Sequence, residues 1–416
     1  MDAQNIAEIT EMMYALRNPA GVPTYPVIFI ALGVLTFAMH ILFVQLMLGT
    51  SAVALYAAYT NNAYWRKLGA AMIDIAKVSV SVAIVIGVAP LLFVQVVYDP
   101  HWYTSNVLSA DWVIAFIIIL IFAYWAMYYF YFQNYKREDK TAEPKSRWSL
   151  ILSLGLMLLV GFIMHSLTSQ ILHPELWKEW YMQNGKMDYS GDTLHAYNVW
   201  RYAFFISMAI PVTGAMLVTY RRFKMVRSDY DQDYLRFAAE VGKKWILVGS
   251  VISTVLYFAW MMTLPETAGN FGTSFWGILG GVAVLAYAGW AKVRLNGKSE
   301  DMCSYMALPM ALVIGLVVAI SREILRYDIL NGFFSYNFFD YKVVMDWYST
   351  GLFFLTFAIV GGAVLAYYLT IAWKAGQTEG VYTPSATVNK MGTVAIWILV
   401  LWMIQFFAIG IYTWVQ

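Results

Sequence analysis

The chain has 416 residues, 61% of them hydrophobic and 12% charged, with a mean hydropathy of +0.60. Soluble domains are about a quarter charged, so this composition excludes a soluble protein and specifies an integral membrane protein. A formal net charge of +2, with its positive residues gathered in particular connections, gives no support to nucleic-acid binding.

In chain order, residues 1–25 carry Asp2, Glu8, Glu11 and Arg17 and lack the apolar core and small-residue cleavage site of a signal peptide. Ten apolar runs follow, each long enough to span a bilayer as a helix: 26–58, 70–98, 111–133, 149–172, 195–220, 244–264, 273–292, 304–324, 348–373 and 391–415. The connections alternate in charge. One set holds Arg66/Lys67, "YKREDKTAEPKSR" (135–147), residues 221–244, "KVRLNGK" (292–298) and Lys374/Lys390. The other is poorer in Lys and Arg: "YDPHWYTSN" (98–106), 173–194 and "LPETAGNFGTS" (264–274), with 325–347, carrying Arg326 and Lys342, as the exception. The positive-inside rule predicts the first set in the cytoplasm and both termini outside.

No connection is long enough for a separate soluble core, and no internal repeat emerges. The single cysteine, Cys303, excludes an intramolecular disulfide, a four-cysteine iron–sulfur site and CxxCH haem attachment. The aromatic segments 173–192 and 326–350 read as interfacial belts, with a docking surface for a periplasmic partner as the alternative. Gly280-Gly281 and Gly361-Gly362 read as close-packing pairs.

The five histidines, His40, His101, His165, His173 and His195, all fall toward the outside. On one continuous helix His165 and His173 would lie about 12 Å apart along the axis and project within about 80° of each other. Imidazoles at matched depth on neighbouring helices are what bis-histidine ligation of b-type haem requires. Two pairs are conceivable: His195 with His173 near the surface, and His40 with His165 deeper. The alternative for each is a histidine hydrogen-bonded inside a helix bundle.

With its surroundings, "MHILFVQLMLG" (39–49) resembles the first helix of the large subunit (subunit I) of cytochrome bd quinol oxidases, with Gln45 in place of a proline. Further stretches resemble that family in the same order: "GVAPLLFVQVVYDPHW" (87–102), "TSQILHP" (168–174), "LHAYNVWRYAFFISMAIPVTGAMLV" (194–218) and "AISREILRY" (319–327), the last without the family's motif. The resemblance covers residues 26 to about 375, a bundle of nine helices, leaving 376–416 as a linker and tenth helix. It implies a bacterial inner-membrane protein, with His40 standing where a histidine ligates an oxygen-site haem and His195 where one ligates the low-spin haem.

The departures are informative. Gln95 replaces a carboxylate, 112–133 holds no acid, 274–290 lacks the methionine of the low-spin haem, and 352–373 lacks the glutamate of the ninth helix. The quinol loop has shrunk to "LPETAGNFGTS". Reducing oxygen consumes protons at a buried site, which needs ionisable groups in the membrane. The chain therefore reads as a divergent relative that does not reduce oxygen.

Three functions stay open. The first is a b-type cytochrome-like subunit, with one or two haems b, carrying electrons between the quinone pool and a periplasmic cytochrome c, multihaem or iron–sulfur subunit. As such it would be a quinol dehydrogenase component of a respiratory-chain oxidoreductase complex with other membrane subunits. Here His165 and His173 would replace the missing methionine, and Arg326, Arg322 or Arg201 would pair with haem propionates. The second is a haem-free anchor or quinone-binding subunit. The third is a transporter or channel, disfavoured because the acids fall almost entirely in loops. Glu266 and Glu323 are the outer-side acids set against helix ends; each reads as a solvated loop charge or an ion pair, with acceptance of a proton from a quinol as the alternative.

Overall fold

A hydrocarbon-embedded backbone must satisfy its own hydrogen bonds, so apolar runs of this length fold as helices. The computed structural model describes residues 3–134, 137–183, 185–296 and 300–415. Tyr135, Lys136, Asn184, Gly297 and Lys298 of the connections discussed above, and Asp2 of the N-terminal segment, lie outside the described residues.

The chain is an all-α membrane protein. Among the described residues ten helices are long and apolar enough to cross a membrane: Pro26–Tyr59, Ala63–Val97, Ala110–Asn134, Arg147–Gln170, Val199–Lys224, Gln232–Met262, Phe275–Arg294, Asp301–Phe333, Trp347–Gln377 and Ala386–Val415. These are the first to tenth spans below. An even number of crossings returns both ends to one face, called here the cap face; the opposite one is the basic face.

The second and sixth spans begin 7 and 12 residues before their predicted starts at 70 and 244. The added turns are amphipathic, carrying Arg66 and Lys67 in one case and Arg236 and Lys243 in the other, which lowers their hydropathy without breaking the helix. Each starts at a side-chain cap. Asn62 accepts from the N–H groups of Tyr64 and Trp65, and Asp231 from that of Asp233. The fifth span is interrupted at Met208, between Val199–Ser207 and Ala209–Lys224. Pro211 supplies no N–H to the carbonyl one turn earlier.

The first two spans pack through small residues: a Cβ at Gly69 would lie 2.3 Å from that of Ala57. Gly280 and Gly281 likewise seat the rings of Tyr257 and Phe258. Gly361 and Gly362 do not close-pack. They lie in and beside a π-helical turn, Thr356–Gly361, with open space around Gly362. Trp402 Nε1 donates to Thr356 Oγ1 there, joining the ninth and tenth spans. That pair meets the bundle where Gly376 abuts Phe223, where Trp373 packs on Phe223 and Tyr305, and where Phe353 meets Phe93, and presents much of its remaining apolar surface outward.

On the cap face, pieces of chain too short for a core of their own pool into one layer. They are the helix Ala3–Ala15, the short helix Asp99–Leu108, the segment 171–198 with its two-residue hairpin Met182–Gln183/Lys186–Met187, and 328–346. Val22 pairs in parallel with Val343. Phe334, Tyr336, Phe338, Tyr341 and Trp177 are buried in this layer, as is Met13. Trp177, Phe334, Tyr336, Phe338 and Tyr341 of the aromatic segments are thus core of a cap, while Tyr189, Phe339, Trp347 and Tyr348 stay exposed, as an interfacial belt or a docking surface requires.

Candidate functional site

The first, second, third, fourth, fifth and eighth spans enclose a cavity of about 400 Å³, within the range of small-molecule sites. Its walls are mostly apolar, with Phe29, Phe93, Phe116, Leu120 and Phe205 among them, and Met47, Met157 and Met164 add thioethers. His40, His165, Arg201, Arg322, Glu323 and Arg326 also line it.

His40 is half-buried on the first span. Its Nδ1 lies 2.9 Å from the carbonyl of Ala83 on the second. A carbonyl can only accept, so Nδ1 carries the proton and Nε2 keeps its lone pair. A backbone carbonyl commonly fixes a metal-binding imidazole in this way. Room for the ring comes from Gly87, where a Cβ would stand 2.7 Å from both Cε1 and Nδ1 of His40.

His165, on the fourth span, faces the same cavity, but its Nε2 accepts the backbone N–H of Asn198 at 3.0 Å. In the neutral ring the other nitrogen then holds the proton, so no lone pair is left for iron. Asn198 caps the fifth span by accepting from the Arg201 N–H, which makes His165 a clamp on that helix start.

The surface pair is not formed. The fourth span ends at Gln170, so His173 leaves its axis and its Nδ1 hydrogen-bonds Glu175 at 3.0 Å. His195 does not open a helix; it lies in extended chain before Val199, with its backbone N–H on Gln170 Oε1. The indole of Trp180 packs against both rings, stacked on His195 at 5.1 Å and edge-on to His173 at 6.3 Å. Burial lowers the pKa of His195, opposed by the Leu108 carbonyl and by Asp188 and Asp192. Neither ring lines the cavity. The pairing of His173 with His195 as axial ligands is therefore corrected: the turn after Gln170 and the indole fill that place.

His101 is fully buried in the cap, with Nε2 3.1 Å from Met13 Sδ and Nδ1 without a partner. Burial, with the positive charges of Arg326 and Arg17 added, lowers its pKa to about 3.

At its cationic end the cavity has three guanidinium groups against one carboxylate. Glu323 accepts from Tyr98 OH at 2.7 Å and pairs with Arg326 at 3.3 Å and Arg322 at 3.7 Å. Arg201 donates to Ser169 and Thr168. Arg322 stacks on Phe37, its Cζ 3.7 Å from the ring centroid, and its Nε is buried without an acceptor. Buried charge without a counter-charge is expensive, so this end of the cavity selects an anion.

Among the described residues no three His, Cys, Asp or Glu side chains gather to hold a metal ion. A haem is different, because its porphyrin supplies four of the iron's ligands. The residues present fit one nitrogen ligand, His40 Nε2, and two propionates; they do not fit a bis-histidine pair as they stand.

Sequence reasoning reached His40 and the arginines but missed Gly87, Tyr98 and Asn198. The spacing of Gly87 in "GVAP" carries no mark of the ring it seats. The span boundaries and chemistry define a multi-pass, all-α membrane protein with an amphiphilic cavity. No family model matches the chain, and no curated protein matches it.

Proposed function

We propose that the chain is a membrane b-type cytochrome-like subunit passing electrons between the quinone pool and a periplasmic carrier, a cytochrome c or a multihaem or iron–sulfur subunit, without reducing oxygen. The observation that carries this reading is the placement, on one membrane cavity, of an anchored imidazole with a free Nε2 and an excess of two positive charges. Haem b bound there, on His40 with Arg201, Arg322 and Arg326 toward its propionates, supplies one-electron redox chemistry. The thioethers of Met47, Met157 and Met164 are the remaining soft donors on the wall.

Glu323 is the one carboxylate lining the cavity. It holds the arginines in place and is the group able to take a proton released by a hydroquinone. One acid serves an electron carrier better than the oxygen chemistry of the cytochrome bd resemblance, which needs proton relays. In the proposed orientation the basic face is cytoplasmic and the cap face periplasmic, in a bacterial inner membrane, so the carrier docks on the cap.

Reconstituted chain supplied with duroquinol tests this. A b-type absorbance should be reduced within seconds and reoxidised by an added c-type cytochrome; failure of both steps in a haem-replete preparation would refute the electron-carrier role. The commitment of His165 to Asn198 favours one second reading, a haem-free quinone-binding subunit in which the arginines and His40 donate to quinone oxygens.

A further inference from the structure

The chain uses its acids differently on its two faces. On the basic face Asp74, Glu143, Asp229, Asp233, Glu240 and Asp301 each pair with a lysine or arginine of the chain itself. On the cap face Glu8, Glu11, Glu179, Asp192, Asp340 and Asp346 are exposed, and among the described residues none of them has a cationic partner. The exposed cations described there are Lys178, Lys186 and Lys342. The positive-inside rule explains why cations are scarce on that face, but acids contribute little to topology, so their excess has another cause.

Part of that excess sits over the large cavity. On the helix Ala3–Ala15, Glu8 and Glu11 project about 140–160° away from Met13, at roughly 100° per residue. Met13 is the buried residue of this helix, and its Sδ lies 3.1 Å from His101 Nε2. The His101 ring is 6.4 Å from that of Tyr98, which lines the cavity. Tyr14 OH donates to Asp340 at 2.8 Å, which brings a third carboxylate to the acidic side of the helix. Phe339, next to Asp340 in the chain, and Leu16, just beyond the helix, are exposed apolar side chains. Apolar side chains exposed beside charge suit a protein partner better than a small cation.

We infer that the outer side of the helix Ala3–Ala15, together with Asp340, is the docking surface for a soluble protein with a lysine-rich face. Charge complementarity sets the sign: carboxylates not neutralised within the chain attract a cationic partner, repel an acidic one and speed encounter at low salt. A partner seated there is separated from the cavity wall by Met13, His101 and Tyr98. That the partner carries electrons rests on the electron-carrier reading; the surface and the charge of its partner do not.

The test uses full-length chain in phosphatidylcholine nanodiscs, which add no net charge. The probe is a lysine-rich c-type cytochrome whose iron is replaced by zinc, followed by fluorescence anisotropy in the dark. The same probe with its lysines succinylated is the control. The surface predicts saturable binding at about 20 mM salt that is lost at about 200 mM, and no binding of the succinylated probe. The triple variant Glu8→Gln, Glu11→Gln, Asp340→Asn should raise Kd roughly tenfold, the sum of three exposed charge pairs. Glu138→Gln, Asp233→Asn, Asp301→Asn makes the same change in net charge on the basic face and should leave Kd as it is. No saturable binding of the lysine-rich probe, equal binding of the succinylated one, or equal effects of the two triple variants overturns the surface. The comparison of the two probes needs no variant to fold. Because the zinc probe binds without exchanging electrons, its result is independent of the duroquinol experiment: binding without electron transfer keeps the surface and sinks the carrier role, and the converse sinks the surface alone.

Discussion

At the scale of single residues, His40 is separated from the other four histidines by joining an uncommitted Nε2 lone pair to a place on the cavity wall; the other histidine of that wall, His165, has given its lone pair to Asn198. His40→Ala should abolish any haem the chain holds. His165→Ala should leave the haem in place and loosen the start of the fifth span, and His173→Ala and His195→Ala should leave haem content unchanged; pyridine haemochrome assays of the four variants check this order. Gly87→Ala drives a methyl group into the imidazole edge, so it should lose haem affinity and about 1–3 kcal/mol of stability by overpacking, read from the thermal midpoint. His101 gives a pH dependence. Its folded pKa of about 3 lies below the ordinary histidine value of 6.5, so the unfolded state binds the extra proton. The stability held above pH 6.5 is then lost as pH falls toward 3, by at most ~1.4 kcal/mol per pH unit. His101→Leu should flatten the fall of the thermal midpoint across that window. The sequence marked His40 and the arginines through residue type and position. It could not show that a backbone N–H from another helix occupies His165, because that contact joins residues 33 apart.

Among the elements, the spans were legible because lipid leaves a backbone one choice, and their predicted runs match the observed helices apart from shifted ends. Those ends were misjudged where a helix continues past the apolar slab with its cations turned to solvent. The cap was illegible for the opposite reason: its core is assembled from segments distant in sequence, each polar enough alone to read as a loop. Arg17 ties it together. Its guanidinium lies 4.1–4.4 Å from the ring centroids of Tyr14, Tyr336 and Tyr341, and it donates to Tyr336 OH and the Asn337 carbonyl. Tyr341 in turn donates to Asp99, whose pKa burial raises against the pull of that bond and of Arg17. Arg17→Ala should cost about 1–3 kcal/mol and raise amide hydrogen exchange across 334–346 while the spans stay protected. Uniform exchange in wild type and variant would show that the cap does not depend on this residue.

Across the whole molecule, the two faces divide the work. The cationic end of the large cavity lies beneath the cap, formed by Arg201 at the start of the fifth span and by Arg322 and Arg326 near the end of the eighth. Trp102 of the cap helix and Tyr98 just before it line the cavity as well. The resemblance to cytochrome bd large subunits singled out His40, which lies on the cavity wall, and the acid-free stretches 112–133 and 352–373. It did not foresee that the second histidine of the cavity is spoken for. The central claim is that this cavity holds haem b, and the most direct measurement is a dithionite-reduced minus oxidised visible spectrum of the purified chain beside its His40→Ala and Arg322→Gln variants. The account predicts a sharp b-type α-band in the wild type, absent in His40→Ala and weakened in Arg322→Gln. A folded wild-type preparation without haem, or a band undiminished in His40→Ala, would contradict it.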